Sequence, residues 1–206
     1  MPEIPLDKLF VLLFMMTGPL RVVPGFAALT GELDEEQKRS VALRAALYAS
    51  AGVALAVFMG HTILASWGAT PESLAAATGI LLFVTALQSL VGWPPSNQSS
   101  PAKQPANHTR LALSPLAFPI ILPPFAVGVL ILFGAYFPDL KSKLFMLGLS
   151  VGIISVDWIA MRFAEWIMEK IGASTLQVLG AVFGVLQLSL AIQMIFWAIK
   201  STYFAN

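Results

Sequence analysis

Six stretches of this chain are long and apolar enough to cross a lipid bilayer as helices. A helical span needs about 20 predominantly apolar residues, and the six runs cover residues 8–30, 41–66, 73–93, 111–136, 143–168 and 174–199. Only 11% of the residues are charged, whereas a soluble domain carries roughly 25%. Most of the surface is therefore expected to face lipid, and the sequence predicts an all-α, polytopic membrane protein with six spans.

Several classes of function are disfavoured by what the chain lacks. The net charge is +1, and no basic run supports a nucleic-acid partner. There is no cysteine, and the two histidines, His61 and His108, lie in very different settings, so we expect no metal site. No motif of a known catalytic type is present. We therefore expect neither enzymatic activity nor a cofactor.

A polar loop divides the chain almost in half. Residues 94–110 read "PPSNQSSPAKQPANHTR" and show no helical period. They separate a first repeat of three spans, residues 1–93, from a second repeat of three spans, residues 111–206. Because three is an odd number, the second repeat must enter the membrane from the opposite face. The sequence thus predicts two inverted three-helix repeats.

The opening span of each half is interrupted by prolines at matching positions. Pro19 and Pro24 are five residues apart in the first span, and Pro119 and Pro124 are five apart in the fourth. A proline inside a helix removes a backbone donor and clashes with the carbonyl four residues earlier. Broken backbone at membrane depth is tolerated only where protein or a wet cavity surrounds it. Matching breaks in two halves therefore indicate a transporter binding site, here between broken helices 1 and 4. The alternative is that both segments are merely kinked helices, because Pro and Gly are frequent in membrane spans.

Four segments also resemble a known family, the MarC family of integral membrane proteins. They read "GPLRVVP", "ALTGELDEEQKRSVALRAAL", "TGILLFVTAL" and "PLAFPIILPPFAV", and the similarity extends over nearly the whole chain. The family is related to LysE-type exporters and to small neutral amino acid transporters. The resemblance implies a secondary transporter or exporter that holds a small polar metabolite, such as an amino acid or small anion, against the two breaks.

The chain departs from the family pattern where that substrate would bind. Gly18 stands where the family has Asp or Asn, and Arg21 stands where it has Gly. Pro123 and Phe125 replace both glycines of a Gly-Pro-Gly turn. Two interpretations stay open: a divergent transporter with another substrate, or a membrane scaffold that no longer transports. The predicted substrate-binding residues are Gly18, Pro19, Arg21, Gly25, Pro119, Pro123 and Phe125.

Polar residues inside predicted spans are the other candidates for function, because such residues usually face the bundle interior or water. Arg21 is either an anchor for an anionic group of the substrate or a cation paired internally, for example with Asp157. Asp157 is a candidate proton relay or counter-ion. His61 is a candidate proton carrier or an interfacial hydrogen-bonding group. Arg162 and Glu165 are expected to form a surface pair or to snorkel to the membrane interface.

Other polar and small residues are expected to hold helices together. Gln88, Gln187 and Gln193 are predicted to bond between helices. Two small-xxx-small pairs, Gly148 with Gly152 and Gly180 with Gly184, are predicted to let helices approach closely.

The distribution of Lys and Arg predicts the orientation. Seven of them lie on the side of the 1–2, 3–4 and 5–6 connections and four lie on the other side. The positive-inside rule then predicts that both termini lie outside. The predicted location is the plasma (bacterial inner) membrane. The predicted partners are the lipid bilayer and a small-molecule substrate, while coupling to protons or sodium ions and assembly into a homo-oligomer are left open.

Overall fold

The computed structural model describes residues 6–91 and 108–203, and this part of the chain is helical with no strand. The elements are α1 (Leu6–Thr17), α2 (Pro19–Thr30), α3 (Glu35–Ser66), α4 (Pro71–Val91), α5 (His108–Leu111), an irregular segment (Ala112–Ile121), α6 (Pro124–Tyr136), α7 (Leu140–Arg162), α8 (Ala164–Ile171) and α9 (Ala173–Tyr203). We call Ala112–Ile121 the wide-turn segment. The predicted all-α class is confirmed for the described residues.

Two of the long helices begin at carboxylate caps. The Gln37 backbone N–H donates to Asp34 Oδ1 at 2.7 Å, and the Gln37 side chain accepts from the Asp34 N–H at 3.3 Å. Asp139 accepts from the Ser142 N–H at 2.8 Å. Both carboxylates satisfy backbone donors that the first turn of a helix leaves free. These polar turns fix where α3 and α7 begin.

Five helical stretches are long and apolar enough to cross a membrane. They are Leu13–Thr30, Glu35–Ser66, Pro71–Val91, Leu140–Arg162 and Ser174–Tyr203. A sixth span is made by His108–Ile121 and Pro124–Tyr136 if this pair, bent by 66°, is counted as one. Large apolar side chains on the outside of these helices, such as Leu55, Val182 and Phe196, are exposed in the isolated chain. Such a surface is suited to lipid rather than to water.

The fifth span ends earlier than predicted. We expected a helix over residues 143–168, but α7 ends at Arg162 and a separate helix, α8, follows. Ala164 in α8 is buried, Ile167 is half-buried, and the intervening Glu165 and Trp166 are exposed. The helix is thus amphipathic and lies at the end of the spans. The apolar pattern continues through Phe163, so the break between α7 and α8 could not be predicted from hydropathy.

The spans pack as a bundle in which α4 lies against α9, and α3 lies against α7, α6 and the wide-turn segment. Close approach of α4 and α9 depends on glycine. A Cβ atom on Gly79 would lie 3.0 Å from the Ala191 carbonyl oxygen, and one on Gly184 would lie 3.2 Å from Leu90.

The prediction for the other glycines of the two small-residue pairs is wrong. Atoms added at Gly148, Gly152 and Gly180 would meet nothing within 4 Å. Gly148 and Gly152 are exposed on α7, so their spacing does not serve packing within this chain.

Residues 94–107 of the predicted loop lie outside the described residues, as does the predicted end of the third span at Trp93. The loop prediction is wrong for residues 108–110, which belong to α5. The division into two repeats, residues 1–93 and 111–206, stays a prediction.

Candidate functional site

The first span is broken at Gly18. Its backbone is extended there (φ −78°, ψ 173°), and α2 begins directly after it with Pro19. Pro19 has no N–H, so the carbonyl of Met15, four residues earlier, loses its helical donor. The side-chain amide of Gln187, on α9, donates to that carbonyl oxygen at 2.7 Å. The predicted interhelical role of Gln187 is confirmed, and its specific role is to satisfy a carbonyl that a proline leaves free.

The backbone at Gly18 leaves no room for a side chain. A Cβ atom built there would lie 2.2 Å from the carbonyl oxygen of Phe14. Any larger residue would force the chain to shift. The glycine at this position, where the resemblance implies Asp or Asn, therefore matches the local path of the backbone.

The fourth span is broken in a different way. The wide-turn segment has extended backbone at Ser114 and Phe118. Its end is marked by a hydrogen bond from the Leu122 N–H to the Ala117 carbonyl, 3.0 Å and five residues back. Pro123 then caps α6, and the axis bends by 66°. Both opening spans are broken, as predicted, but the fourth is bent sharply, whereas Leu13–Thr30 passes as one span.

The two broken spans meet at a glycine. A Cβ atom on Gly25 would lie 3.3 Å from Cδ1 of Ile120, in the wide-turn segment. The absence of a side chain at Gly25 therefore allows close contact between α2 and the fourth span at this point.

A cavity of about 290 Å³ opens beside the first break. Its lining comes from α1, α2, α4 and α9 and consists of Phe14, Met15, Gly18, Leu20, Arg21, Ser89, Gly180, Ala181, Phe183 and Gln187. We call it the Arg21 cavity. Apolar walls with a few polar groups and one cation are typical of a site for a small molecule.

Arg21 carries the charge of this cavity. Its side chain is exposed, and its guanidinium carbon lies 5.5 Å from the ring centroid of Phe125, a fully buried residue of α6. A guanidinium over an aromatic face is stabilised electrostatically without losing its donors. The ring thus contributes to the position of Arg21, whose N–H groups have no carboxylate partner within the described residues.

The predicted pairing of Arg21 with Asp157 is absent. Among the described residues, the ion pairs within 4.0 Å involve Lys38 and its glutamate partners, not Arg21. Asp157 is fully buried on α7, and neither of its carboxyl oxygens has a hydrogen-bond partner in the described part of the chain. The two intramembrane charges suggested by the sequence therefore occupy separate environments.

His61 lies far from Asp157 along the bundle. His61 is 26 residues beyond Glu35 in α3, which corresponds to about 39 Å along the helix axis. Asp157 is five residues before Arg162, the last residue of α7, which corresponds to about 8 Å. Glu35 and Arg162 line one and the same cavity at that end. The structure does not bring the two candidate proton carriers together.

The predicted site residues are only partly gathered. Gly18 and Arg21 line the Arg21 cavity, and Phe125 contacts Arg21. Pro19, Gly25, Pro119 and Pro123 shape the two breaks but do not line it. Sequence reasoning missed Ser89 and Phe183 and gave Gln187 only a packing role. Of these three residues, only Gln187 could have been recognised from the sequence, because it is a polar side chain inside an apolar run.

The predicted pair of Arg162 with Glu165 is wrong. Glu165 forms an ion pair with Lys38 of α3 instead, and the Arg162 guanidinium lies 5.6 Å from the ring centroid of Trp158. The break at Phe163 is the physical reason, because it places the two residues on different helices. Within the described residues, no three His, Asp or Glu side chains come close enough to hold a metal ion.

Together, these features define a polytopic α-helical membrane protein whose broken first span lines a cavity with a guanidinium that has no ion-pair partner among residues 6–91 and 108–203. The chain belongs to the MarC family of integral membrane proteins, since the family model matches residues 6–203.

Relatives of similar length occur in bacteria and archaea. The chain is 27% identical to a UPF0056 membrane protein of Buchnera aphidicola subsp. Schizaphis graminum, covering 96% of this chain and 93% of the relative. It is 24% identical to the UPF0056 membrane protein YhcE of Escherichia coli, covering 95% and 92%. A UPF0056 membrane protein of Pyrococcus abyssi is 27% identical, covering 95% and 94%. No solved structure matches the chain.

Proposed function

We propose that this protein is a secondary transporter or exporter of a small polar solute that carries an anionic group. The observation that carries the proposal is the Arg21 guanidinium, which lines a cavity at the broken first span without a carboxylate partner among the described residues. A cation inside a membrane is expensive and is retained where it serves a pathway or a ligand. An anionic solute would supply the missing partner.

An Arg21 that is held by Asp157 in a dry interior would favour the scaffold alternative. No ion pair joins the two in the described chain, and the Arg21 cavity is large enough for several water molecules or a small metabolite. These two observations favour transport over a purely structural role.

The pattern of contacts supports two inverted repeats that move about the breaks. The third span packs on the sixth, the second on the fifth, and the first meets the fourth. The second span contacts the fourth, and in the same way the first contacts the fifth. The third span contacts the fourth, and in the same way the first contacts the sixth. Exchange of the two halves therefore maps this set of contacts onto itself, as alternating access by rocking of two repeats requires.

Arg21 is tested by ligand-induced stabilisation of the purified protein. We expect glutamate, succinate or inorganic phosphate to raise the Tm, whereas glucose does not, because a ligand that binds only the native state stabilises it. Arg21→Ala should weaken the effective anion by about 10- to 100-fold, the loss of a charge-assisted hydrogen bond.

Arg110→Ala, which removes an exposed guanidinium outside the cavity, is the matched control and should bind as the wild type does. Uptake in proteoliposomes then follows with the anion identified. Equal stabilisation of the wild type and Arg21→Ala by every anion would contradict the proposal.

Asp157 is proposed as the group that couples transport to protons. A buried carboxylate without partners is costly, and Asp157 is enclosed in its span with neither carboxyl oxygen hydrogen-bonded among the described residues, so it is the group placed to carry a proton when a conformational change admits water. We expect Asp157→Asn to abolish uptake driven by a pH gradient and to preserve solute counterflow, which needs no net proton movement.

Asp139→Asn, which changes an exposed carboxylate at the start of α7, is the control. Uptake by Asp157→Asn that still follows the pH gradient, or wild-type uptake driven by a sodium gradient alone, would rule out this role.

A further inference from the structure

A second cavity, of about 470 Å³, lies where the end of α2, the start of α3, the end of α7 and α8 meet. Its lining is Phe26, Ala27, Thr30, Glu35, Lys38, Arg39, Ala42, Met161, Arg162, Phe163, Ala164, Glu165 and Trp166. It shares no residue with the Arg21 cavity. We call it the α8 cavity.

The charges around the α8 cavity are unequally satisfied. Lys38 is paired with both carboxylates of the lining, with Glu35 at 3.0 Å and with Glu165. Arg39 and Arg162 have no carboxylate partner within the described chain. Three cations and two carboxylates give the lining a net charge of +1. Because both carboxylates pair with Lys38, the two guanidiniums are left without an anion, and Arg162 has only its contact with the Trp158 ring, 5.6 Å to the centroid.

The cavity lies at the ends of the spans, where lipid headgroups are expected. Arg162 is the last residue of α7, and Arg39 belongs to the first turns of α3. Exposed Phe163 and Trp166 flank it on the outside, and aromatic side chains of this kind are typical of the membrane–water interface.

Its walls are apolar where they face the bundle. Phe26 and Met161 are buried at the base of the cavity. A phospholipid would place its phosphate against the guanidiniums and its glycerol and acyl carbons against these apolar groups, whereas a free phosphate would use only the charged part.

We infer that the α8 cavity binds the phosphate of an anionic phospholipid through Arg39 and Arg162. Guanidiniums recognise phosphate oxygens through pairs of parallel N–H donors, and basic cavities between spans are suited to anionic headgroups. The Lys38–Glu165 pair joins α3 to α8 and so forms part of the wall. The inference concerns lipid binding and does not depend on transport.

The test uses the full chain in neutral detergent and native mass spectrometry to measure bound lipid. We expect dioleoyl-phosphatidylglycerol to bind more tightly than dioleoyl-phosphatidylcholine. Arg39→Ala/Arg162→Ala should weaken phosphatidylglycerol binding by about tenfold or more. Arg110→Ala/Lys170→Ala, which removes two exposed cations outside the cavity lining, should bind it as the wild type does.

A gain of affinity provides a second readout that a misfolded variant cannot imitate. Glu35→Gln removes the other carboxylate partner of Lys38, leaves the Lys38–Glu165 pair between α3 and α8 in place and raises the charge of the lining, so we expect phosphatidylglycerol to bind about two- to fivefold more tightly. No gain in this variant, equal binding of the two lipids, or equal loss in both double variants would overturn the inference. Displacement of the lipid by equimolar inorganic phosphate or glycerol 3-phosphate would assign the cavity to a free anion instead.

Discussion

At the scale of single residues, the prolines of the first span act through the carbonyl groups that they leave free. Pro19 removes the donor for Met15, and Gln187 supplies another from α9. In water such a carbonyl would bind solvent, but in hydrocarbon it needs a protein partner. The break at Pro19 is therefore stabilised by the hydrogen bond from Gln187, although 172 positions separate Met15 and Gln187.

This hydrogen bond predicts a specific loss of stability. Gln187→Leu keeps the volume of the side chain and leaves the Met15 carbonyl without a donor, which should cost about 1–3 kcal/mol and lower the Tm. Gln193→Leu makes the same change at an exposed position of the same helix and should change the Tm little. Thermal unfolding of the two purified variants in one detergent gives the comparison, and equal Tm values would mean that the hydrogen bond is dispensable.

At the scale of helices, the ends of the spans are decided by two kinds of signal. The starts of α3 and α7 have side-chain caps, Asp34 and Asp139, which can be recognised in the sequence. The end of α7 has no such mark. Phe163 ends it without glycine or proline, and the consequence is that Glu165 joins Lys38 on α3 rather than Arg162.

The cap at Asp139 predicts a pH dependence. The hydrogen bond from the Ser142 N–H stabilises the charged carboxylate and lowers the pKa of Asp139 below its ordinary value of 3.8. A lowered native pKa stabilises the fold fully above the unfolded pKa, and this contribution disappears as the pH falls through the native value.

We therefore expect the Tm difference between the wild type and Asp139→Asn to be constant above about pH 5. Below about pH 4, the Tm of the wild type should fall relative to that of Asp139→Asn. Asn is an equally good cap that does not titrate. Thermal unfolding followed by circular dichroism between pH 2 and 7 gives the measurement. Parallel curves for the two proteins down to pH 2 would show that this carboxylate does not contribute.

At the scale of the whole molecule, the Arg21 cavity and the α8 cavity lie at different depths of the bundle. The α8 cavity is at the end where the 31–34 turn lies, and six of the Lys and Arg residues of the described chain lie toward this side: Lys38, Arg39, Arg44, Arg110, Arg162 and Lys170. The positive-inside rule predicts that this end is cytoplasmic. An anionic lipid in the α8 cavity would then belong to the inner leaflet.

The orientation can be tested directly because the chain contains no cysteine. Pro138→Cys, in the exposed connection between α6 and α7, should react with a membrane-impermeant maleimide added to intact cells. Lys170→Cys, on the exposed side of α8, should react only after permeabilisation. The opposite result would invert the assignment and place the α8 cavity outside.

The sequence by itself determined the membrane class, the presence of five or six apolar spans and the breaks in the first and fourth of them, because hydropathy and proline act locally and leave a readable pattern. The tertiary structure decided which groups meet: Arg21 lies over Phe125 rather than beside Asp157, and Glu165 pairs with Lys38. Partners of this kind come from different spans, and no local pattern records the rotation of one helix against another. Only packing of the whole bundle fixes those rotations, so the cavities could not be derived from the chain alone.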